Sequence, residues 1–249
     1  MQFVSKTNTQ FMTIDLFIPC YIDQYFPQTG VNTVKVLEKA GLDVHYNPDQ
    51  TCCGRFAFNA GCIEEAKALG DKFLSDFDNN RPVVAPSASC VAFIKKRYSE
   101  LFFNTANHLN FKRMKKNVYE LTDFLVNVIK VGDLGAEFPH KVTYHDSCSA
   151  LRDLHLGAEA RQLLSNVKGL ELIEMKQTDI CCGGEMTFAV NNEDVSVGMA
   201  MHKVRNAMNT GAEYIVSTDM TCLMHLKSYI NANGLPIQVI HIADVLANF

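Results

Sequence analysis

Two short stretches concentrate the chemistry. Asp49 to Gly61 reads DQTCCGRFAFNAG and Asp179 to Val190 reads DICCGGEMTFAV. Each sets two thiols side by side and follows them with glycine. Neighbouring sulfurs point apart along an extended chain, and a bridge between them would close a strained ring outside ordinary disulfide geometry. Adjacent thiols can instead address two atoms of one polynuclear centre. Single cysteines frame each pair, giving C-x31-CC-x36-C through Cys20, Cys52, Cys53 and Cys90, and C-x32-CC-x39-C through Cys148, Cys181, Cys182 and Cys222.

The matching landmarks recur at offsets of 128 (Cys20 to Cys148), 129 (Cys52 to Cys181) and 132 (Cys90 to Cys222). Near-constant offsets mark an internal duplication, and the elements between the cysteines repeat in the same order. In the first half TIDLFIPC reads as a strand, and VNTVKVLEKAG as a helix with Val31, Val34, Leu37 and Ala40 on one face and Gly41 at its end. LDVHYN reads as a strand, and the spacing of Cys62, Ala66, Leu69, Phe73 and Phe77 as a helix. RPVVAPSASC reads as a strand ending at Cys90, and YELTDFLVNVI as a strand end entering a helix. HKVTYHDSC, LELIEM, VSVGMAMHKVRNAMNTG, AEYIVST and PIQVIHIADVLANF run through similar stations in the second half.

The expected fold is α/β: two duplicated Rossmann-like units with a pseudo-two-fold relation, each a mainly parallel sheet flanked by helices. Their bounds are 13–135 and 136–249, joined near VGDLGAEFPH, with residues 1–12 a polar N-terminal extension. In a parallel sheet all strand C-termini emerge at one edge, where ligands bind. That topology delivers each half's four scattered thiols to one place. Gly54, and Gly183 with Gly184, then allow positive φ and close approach of backbone to a bulky group, and freed N–H groups can donate to sulfur.

The chain has 249 residues, 47% of them hydrophobic and 20% charged, which suits a globular protein with real cores. Its net charge of −4 gives no reason to expect nucleic acid. The densest basic run, FKRMKKN from Phe111, reads as a solvated surface segment. No apolar run is long enough to span a membrane, and the start lacks the apolar core of a signal peptide. A cytoplasmic location is therefore expected, where nine cysteines point to metal or redox chemistry rather than disulfides. A structural zinc site would ordinarily use short C-x-x-C knuckles, which are missing. A metal-free dithiol cycle would leave the framing cysteines unexplained.

CCG, PSASC, ELTDFLVNVI, LLSNVKGLEL, CCGG and VIHIADVL together resemble the CCG-domain iron–sulfur proteins, over Thr13 to Phe249. That group includes the CCG-containing subunit of heterodisulfide reductases and iron–sulfur subunits of lactate, glycolate and anaerobic glycerol-3-phosphate oxidation; the match is to the lactate branch. The resemblance implies an electron-transfer subunit of a bacterial L-lactate oxidation complex, passing electrons as lactate becomes pyruvate, with other iron–sulfur subunits as partners. It assigns cluster binding to the eight patterned cysteines, with one or two [4Fe–4S] clusters per chain. The fuller family pattern carries a fifth cysteine shortly before the last. Here those stretches read Ser87-Ala88-Ser89 and Asp219-Met220-Thr221. Four thiolates suffice for a cubane cluster, whereas a non-cubane one would need an oxygen ligand such as Ser87 or Asp219. Two alternatives remain: a disulfide or thiol reductase subunit that binds substrate sulfur at a cluster, and a zinc-stabilised interaction module.

Other residues have plainer readings. Cys62, outside the pattern, reads as a small core residue. His145, with Asp146 beside it, could relay a proton or tune the centre, or be a hydrogen-bonded strand-end histidine. Arg55 could face an anionic cluster or carboxylate, or form a surface ion pair, and Glu185 is similarly placed. No G-x-G-x-x-G or P-loop motif is present.

Overall fold

The computed structural model describes residues 12–249, so the expected polar extension lies almost wholly outside the described residues. Among the described residues eight strands form two four-stranded sheets, every pairing in them parallel. The strands are β1 (Thr13–Leu16), β2 (Asp43–Tyr46), β3 (Val83–Ala85), β4 (Val118–Glu120), β5 (Lys141–Tyr144), β6 (Glu171–Leu172), β7 (Tyr214–Ser217) and β8 (Gln238–His241). Strand order is β2-β1-β3-β4 in one sheet and β6-β5-β7-β8 in the other, so the duplication extends to topology. The central strands β1, β3, β5 and β7 are short and, but for their first residues in three of them, buried on both faces, as helix-covered parallel strands must be.

The halves share a core. One apolar cluster runs from Ile14 on β1 through Val142 and Tyr144 on β5 to Leu246 near the C-terminus. The segment joining the halves is packed as well, with Leu134, Ala136 and Phe138 all buried. The last helix, Ile242–Leu246, returns to the first half. There Asp244 accepts hydrogen bonds from Thr29 Oγ1 and Asn32 Nδ2, both at 2.9 Å.

Several elements depart from their sequence reading. The helix Pro27–Lys39 buries Thr29, Gly30, Thr33, Val36 and Leu37, leaving Val31 exposed. Its inner stripe carries threonines because Thr33 donates to its own Thr29 carbonyl and Thr29 to Asp244, which removes the cost of burying their hydroxyls. β3 stops at Ala85, and Cys90 lies inside the helix Ala88–Lys96. Cys62 is exposed, immediately before the helix Ile63–Asp76, so it is no core residue. FKRMKKN is the end of the helix His108–Asn117, which buries only Phe111 and Met114. No helix among the described residues is long and apolar enough to cross a membrane.

Both sheets end in a strand whose last side chain caps the next helix. Glu120 Oε2 accepts from the backbone N–H groups of Thr122 (2.8 Å) and Asp123 (3.2 Å), and His241 Nδ1 accepts from that of Ala243 (3.1 Å). Burial raises the Glu120 carboxyl to about 7, and burial lowers the His241 imidazole. A carboxyl whose folded pKa lies above its unfolded value of 4.5 adds stability that is lost as pH climbs through about 7. Glu120→Gln removes this dependence. Urea denaturation should show the variant gaining on the parent by roughly 2–3 kcal/mol between about pH 5 and pH 8. A gap that stays constant across that range would refute the buried-carboxyl account.

Candidate metal centres

In each half the two single cysteines follow the two strands flanking the reversal in strand order, and the pair follows the outer neighbour. Cys20 opens the helix Cys20–Tyr25 after β1, Cys52 and Cys53 lie in the loop after β2, and Cys90 lies in the helix after β3. Cys148 follows β5, Cys181 and Cys182 follow β6, and Cys222 lies in the helix Met220–Ala232 after β7. The structure thus brings the eight patterned cysteines to the strand ends in two groups.

Local chemistry fixes each loop. Gly54 holds φ +88°, and a Cβ there would stand 2.8 Å from the Ala66 carbonyl oxygen. Gly183 repeats this at φ +83°, its virtual Cβ 3.0 Å from the Ser196 oxygen. The N–H groups of Gly54 and Gly183 donate to Cys52 Sγ and Cys181 Sγ, each at 3.4 Å. Tyr98 pins the first pair by donating to the Cys53 carbonyl at 2.9 Å. Lys203, fully buried, steadies the approach to the second pair by donating to the carbonyls of Gln177 (2.7 Å) and Thr178 (3.0 Å).

The thiols form rows. Cys20 and Cys52 sulfurs lie 3.6 Å apart, and contacts continue from Cys52 to Cys53 and from Cys53 to Cys90. Cys148, Cys181, Cys182 and Cys222 repeat the row. In each, the first two thiols of the row (Cys20 with Cys52, Cys148 with Cys181) are half-buried, and the last two, the inner pair toward the protein interior, are buried. Donation from Cys20 holds Cys52 far below the ordinary thiol range, helped by Cys53, the Gly54 N–H and Arg55. Cys148 does the same for Cys181, helped by Cys182 and the Gly183 N–H. Their donors Cys20 and Cys148 are pushed up in turn, first by that same hydrogen bond and then by burial. Donation from Cys53, with Arg55 and Ser87, holds Cys90 low as well, so the first row favours two thiolates unaided, Cys52 and Cys90, and the second favours Cys181. Ionising their neighbours as well sets like charges at about 4 Å, worth roughly 4 kcal/mol of repulsion per pair at an effective dielectric of 20. Bound cations remove that repulsion, so this donor set fits a soft metal centre.

Two buried groups point the same way. Arg55 is 8% exposed, and its Nε and Nη2 have no hydrogen-bond partner. It packs over the Phe56 ring and feels Tyr21, Cys90, Asp219 and Cys53, so the surface ion-pair reading does not hold. His145 is fully buried with both ring nitrogens unpartnered, so the hydrogen-bonded strand-end reading fails for its side chain. Asp146 beside it instead holds Arg161 through two bonds, 2.8 and 2.9 Å long. Glu185 caps the helix Met186–Asn191 and accepts from Asn59 Nδ2 at 2.9 Å across the halves.

Ser87 and Asp219, at the stretches where the family pattern has its extra cysteine, are both helix caps. Ser87 Oγ accepts from the Cys90 N–H at 3.3 Å and lies 2.6 Å from Tyr21 Oη. Asp219 Oδ1 accepts from the Thr221 N–H at 3.1 Å, and its Oδ2 from the Ser89 N–H at 2.7 Å. The last bond joins the helix of Cys90 to the cap of the helix of Cys222. Sequence reading missed Lys203, Tyr21 and Tyr98. The lysine alone left a signal, as a charge at apolar spacing between Ala200 and Ala207.

Residues 14–95 and 142–227 match the family CCG, described as a cysteine-rich domain. The chain is 38% identical over 237 residues to "Lactate utilization protein A 1" of Bacillus mycoides, covering 94% of this chain and 96% of that one. It is 37% identical to "Lactate utilization protein A" of Oceanobacillus iheyensis, covering 94% and 96%. It is 38% identical to the protein of that name from Geobacillus thermodenitrificans, covering 94% and 98%. Among solved structures, a hypothetical protein from Helicobacter pylori shares the fold with a TM-score of 0.63 at 12% identity. The alignment covers 94% of this chain and spans about half (48%) of that longer one.

The two glycine turns make a sharp test. Gly54→Ala meets a left-handed backbone and the Ala66 carbonyl together, and should cost at least about 2 kcal/mol. Gly41→Ala, at φ +85° with no heavy atom within 4 Å, should cost only the conformational part, about 1 kcal/mol. Equal losses in urea melts would show that the pair's loop is not seated against the helix Ile63–Asp76.

Proposed function

The chain belongs to the CCG cysteine-rich domain family, and from that premise we propose that it is the iron–sulfur electron-transfer subunit of a complex that oxidises L-lactate to pyruvate. The observation that carries this reading is the gathering of two equivalent sets of four thiols at the ends of equivalent strands. Similarity to proteins named for lactate utilization supplies the substrate. The nine cysteines, all free, fit a reducing cytoplasm.

Within the first unit, 13–135, Cys20, Cys52, Cys53 and Cys90 hold one cluster; within the second, 136–249, Cys148, Cys181, Cys182 and Cys222 hold the other. Such a cluster, tuned through its thiolates by nearby dipoles, supplies reversible one-electron storage. The chain supplies its setting. N–H groups of Gly54 and Gly183 already point at the cysteine sulfurs and stabilise their negative charge. Arg55 adds a buried positive charge on the side of Cys53 and Cys90. The inner thiols are shielded from water while Cys20, Cys52, Cys148 and Cys181 stay partly open, giving a redox partner a short path to each set. Partner subunits carrying further clusters would complete the route.

Anaerobic purification with iron and acid-labile sulfide assays, combined with EPR, tests the reading. Paired serine replacements at Cys52 and Cys53, and separately at Cys181 and Cys182, should each remove about half of the iron and one set of EPR features. Stoichiometric zinc without iron or sulfide would sink the redox function and favour a zinc-stabilised module.

A further inference from the structure

We propose that the imidazole of His145 is a ligand to the metal centre of the second half, giving it a mixed nitrogen–sulfur donor set that the first half lacks. This rests on the reading of the cysteine sets as metal centres.

The duplication supplies an internal comparison. The His145 backbone N–H donates to the Val216 carbonyl at 2.8 Å, just as the Phe17 backbone N–H donates to the Val84 carbonyl at 2.9 Å. The two residues occupy the same position past the ends of β5 and β1, three residues before Cys148 and Cys20. In the first half the position is filled by a phenyl ring packed edge-on against Phe73 and Phe77, at centroid distances of 5.0 and 6.0 Å. In the second half it is filled by an imidazole whose two nitrogens bond to nothing. Packing alone would be met by another phenyl. A buried imidazole always carries at least one N–H, and leaving it unpartnered is costly and rare.

Charged and titratable groups around His145 do not resolve this. Lys203, Cys181, Asp146 and Asp219 face it, but the lysine is committed to two carbonyls and Asp146 to Arg161. Asp219 is held by Thr221 and by the Ser89 N–H. The metal-ligating atoms grouped with its ring are sulfurs. A ring nitrogen of His145 and the sulfurs of Cys182 and Cys222 all lie within 4.8 Å of one another, and no other trio of metal-ligating side chains among the described residues is so close. Metal–nitrogen and metal–sulfur bonds of roughly 2.1 and 2.3 Å reach one ion from such a triangle with little movement.

Taking a coordination position in place of one of that half's four thiolates, a neutral imidazole would remove one negative charge, and exchanging thiolate for imidazole raises the potential of an iron–sulfur centre. The second centre would then sit above the all-thiolate first one, and electrons would run from the first half to the second.

Two variants test the proposal. His145→Phe copies the first half's own residue, and His145→Cys keeps a donor atom at the position; circular dichroism verifies that each folds. In protein labelled with nitrogen-15 histidine, pulsed EPR should find direct nitrogen coupling on the signal that serine replacement at Cys181 and Cys182 abolishes. His145→Phe should remove that coupling and leave the first-half signal intact, and His145→Cys should lower the second centre's potential. A signal without direct coupling, including the weak coupling of a mere hydrogen bond to sulfur, would overturn the proposal. Titration of apoprotein with cobalt(II) alone separates this from the fate of the redox reading. Should the protein hold no iron, loss of at least tenfold in second-half cobalt affinity in His145→Phe would still support the ligand, and unchanged affinity would refute it.

Discussion

Crowding of like-charged sulfur governs this molecule. Each half draws four thiols from three strand ends into a row whose members touch, in surroundings that bury the inner two. The protein can favour one or two thiolates per row with N–H groups, Arg55 and hydrogen bonds from neighbouring thiols, as it does for Cys52 and Cys90 in the first and Cys181 in the second. It has no means of its own to favour four. A row of this kind is therefore an incomplete electrostatic object, with a geometry that makes sense only around positive charge. The left-handed glycines, the buried Arg55 and the capped helices all serve to bring negative sulfur together rather than to keep it apart.

The same economy ties the two centres to each other. Asp219 caps the helix of Cys222 with one oxygen and receives the Ser89 N–H, at the start of the helix of Cys90, with the other. Glu185 caps the helix after the second pair and receives Asn59 from the helix after the first. Both bonds lie next to patterned cysteines, so the surface that joins the halves is also the surface that positions the thiols. Together with the shared core and the return of Asp244 to Thr29 and Asn32, this makes the duplicated units structurally dependent on each other. A disturbance at one cysteine loop has a direct mechanical route to the other.

Much of this was legible in the sequence because it is written in period and repetition. The offsets between cysteines announced the duplication. Apolar runs announced the buried strands, and Gly54 and Gly183 announced turns that only glycine makes. What escaped depended on partners distant in the chain. The inner face of Pro27–Lys39 is chosen by Asp244, more than two hundred residues away. Cys62 kept the spacing of a helix face, yet the helix begins one residue later and leaves it in solvent. Arg55 stayed open between a cluster-facing charge and a surface ion pair because sequence cannot show that Tyr21, Asp219 and two cysteines surround it. Ser87 and Asp219 invited a ligand role by position, while their caps engage them otherwise.

Duplication also makes divergence readable. Where two copies of a fold keep a residue, the reason is usually shared geometry, and Gly54 with Gly183 is such a case. Where the copies differ at one backbone position, the scaffold is excluded as the cause, since both choices fit it. Phe17 joins a cluster of aromatic rings in the first half, and its counterpart His145 stands among Lys203, Asp146 and the thiols of the second. Tyr98 closes the first loop with a phenol, whereas Lys203 steadies the second with an ammonium. The first centre's surroundings are thus aromatic with one buried guanidinium, and the second's are strongly polar. Two identical sites in series would share one potential and set no direction for an electron. Under the proposed electron-transfer role, unequal surroundings on equal scaffolds would give the pair a direction without any change in fold.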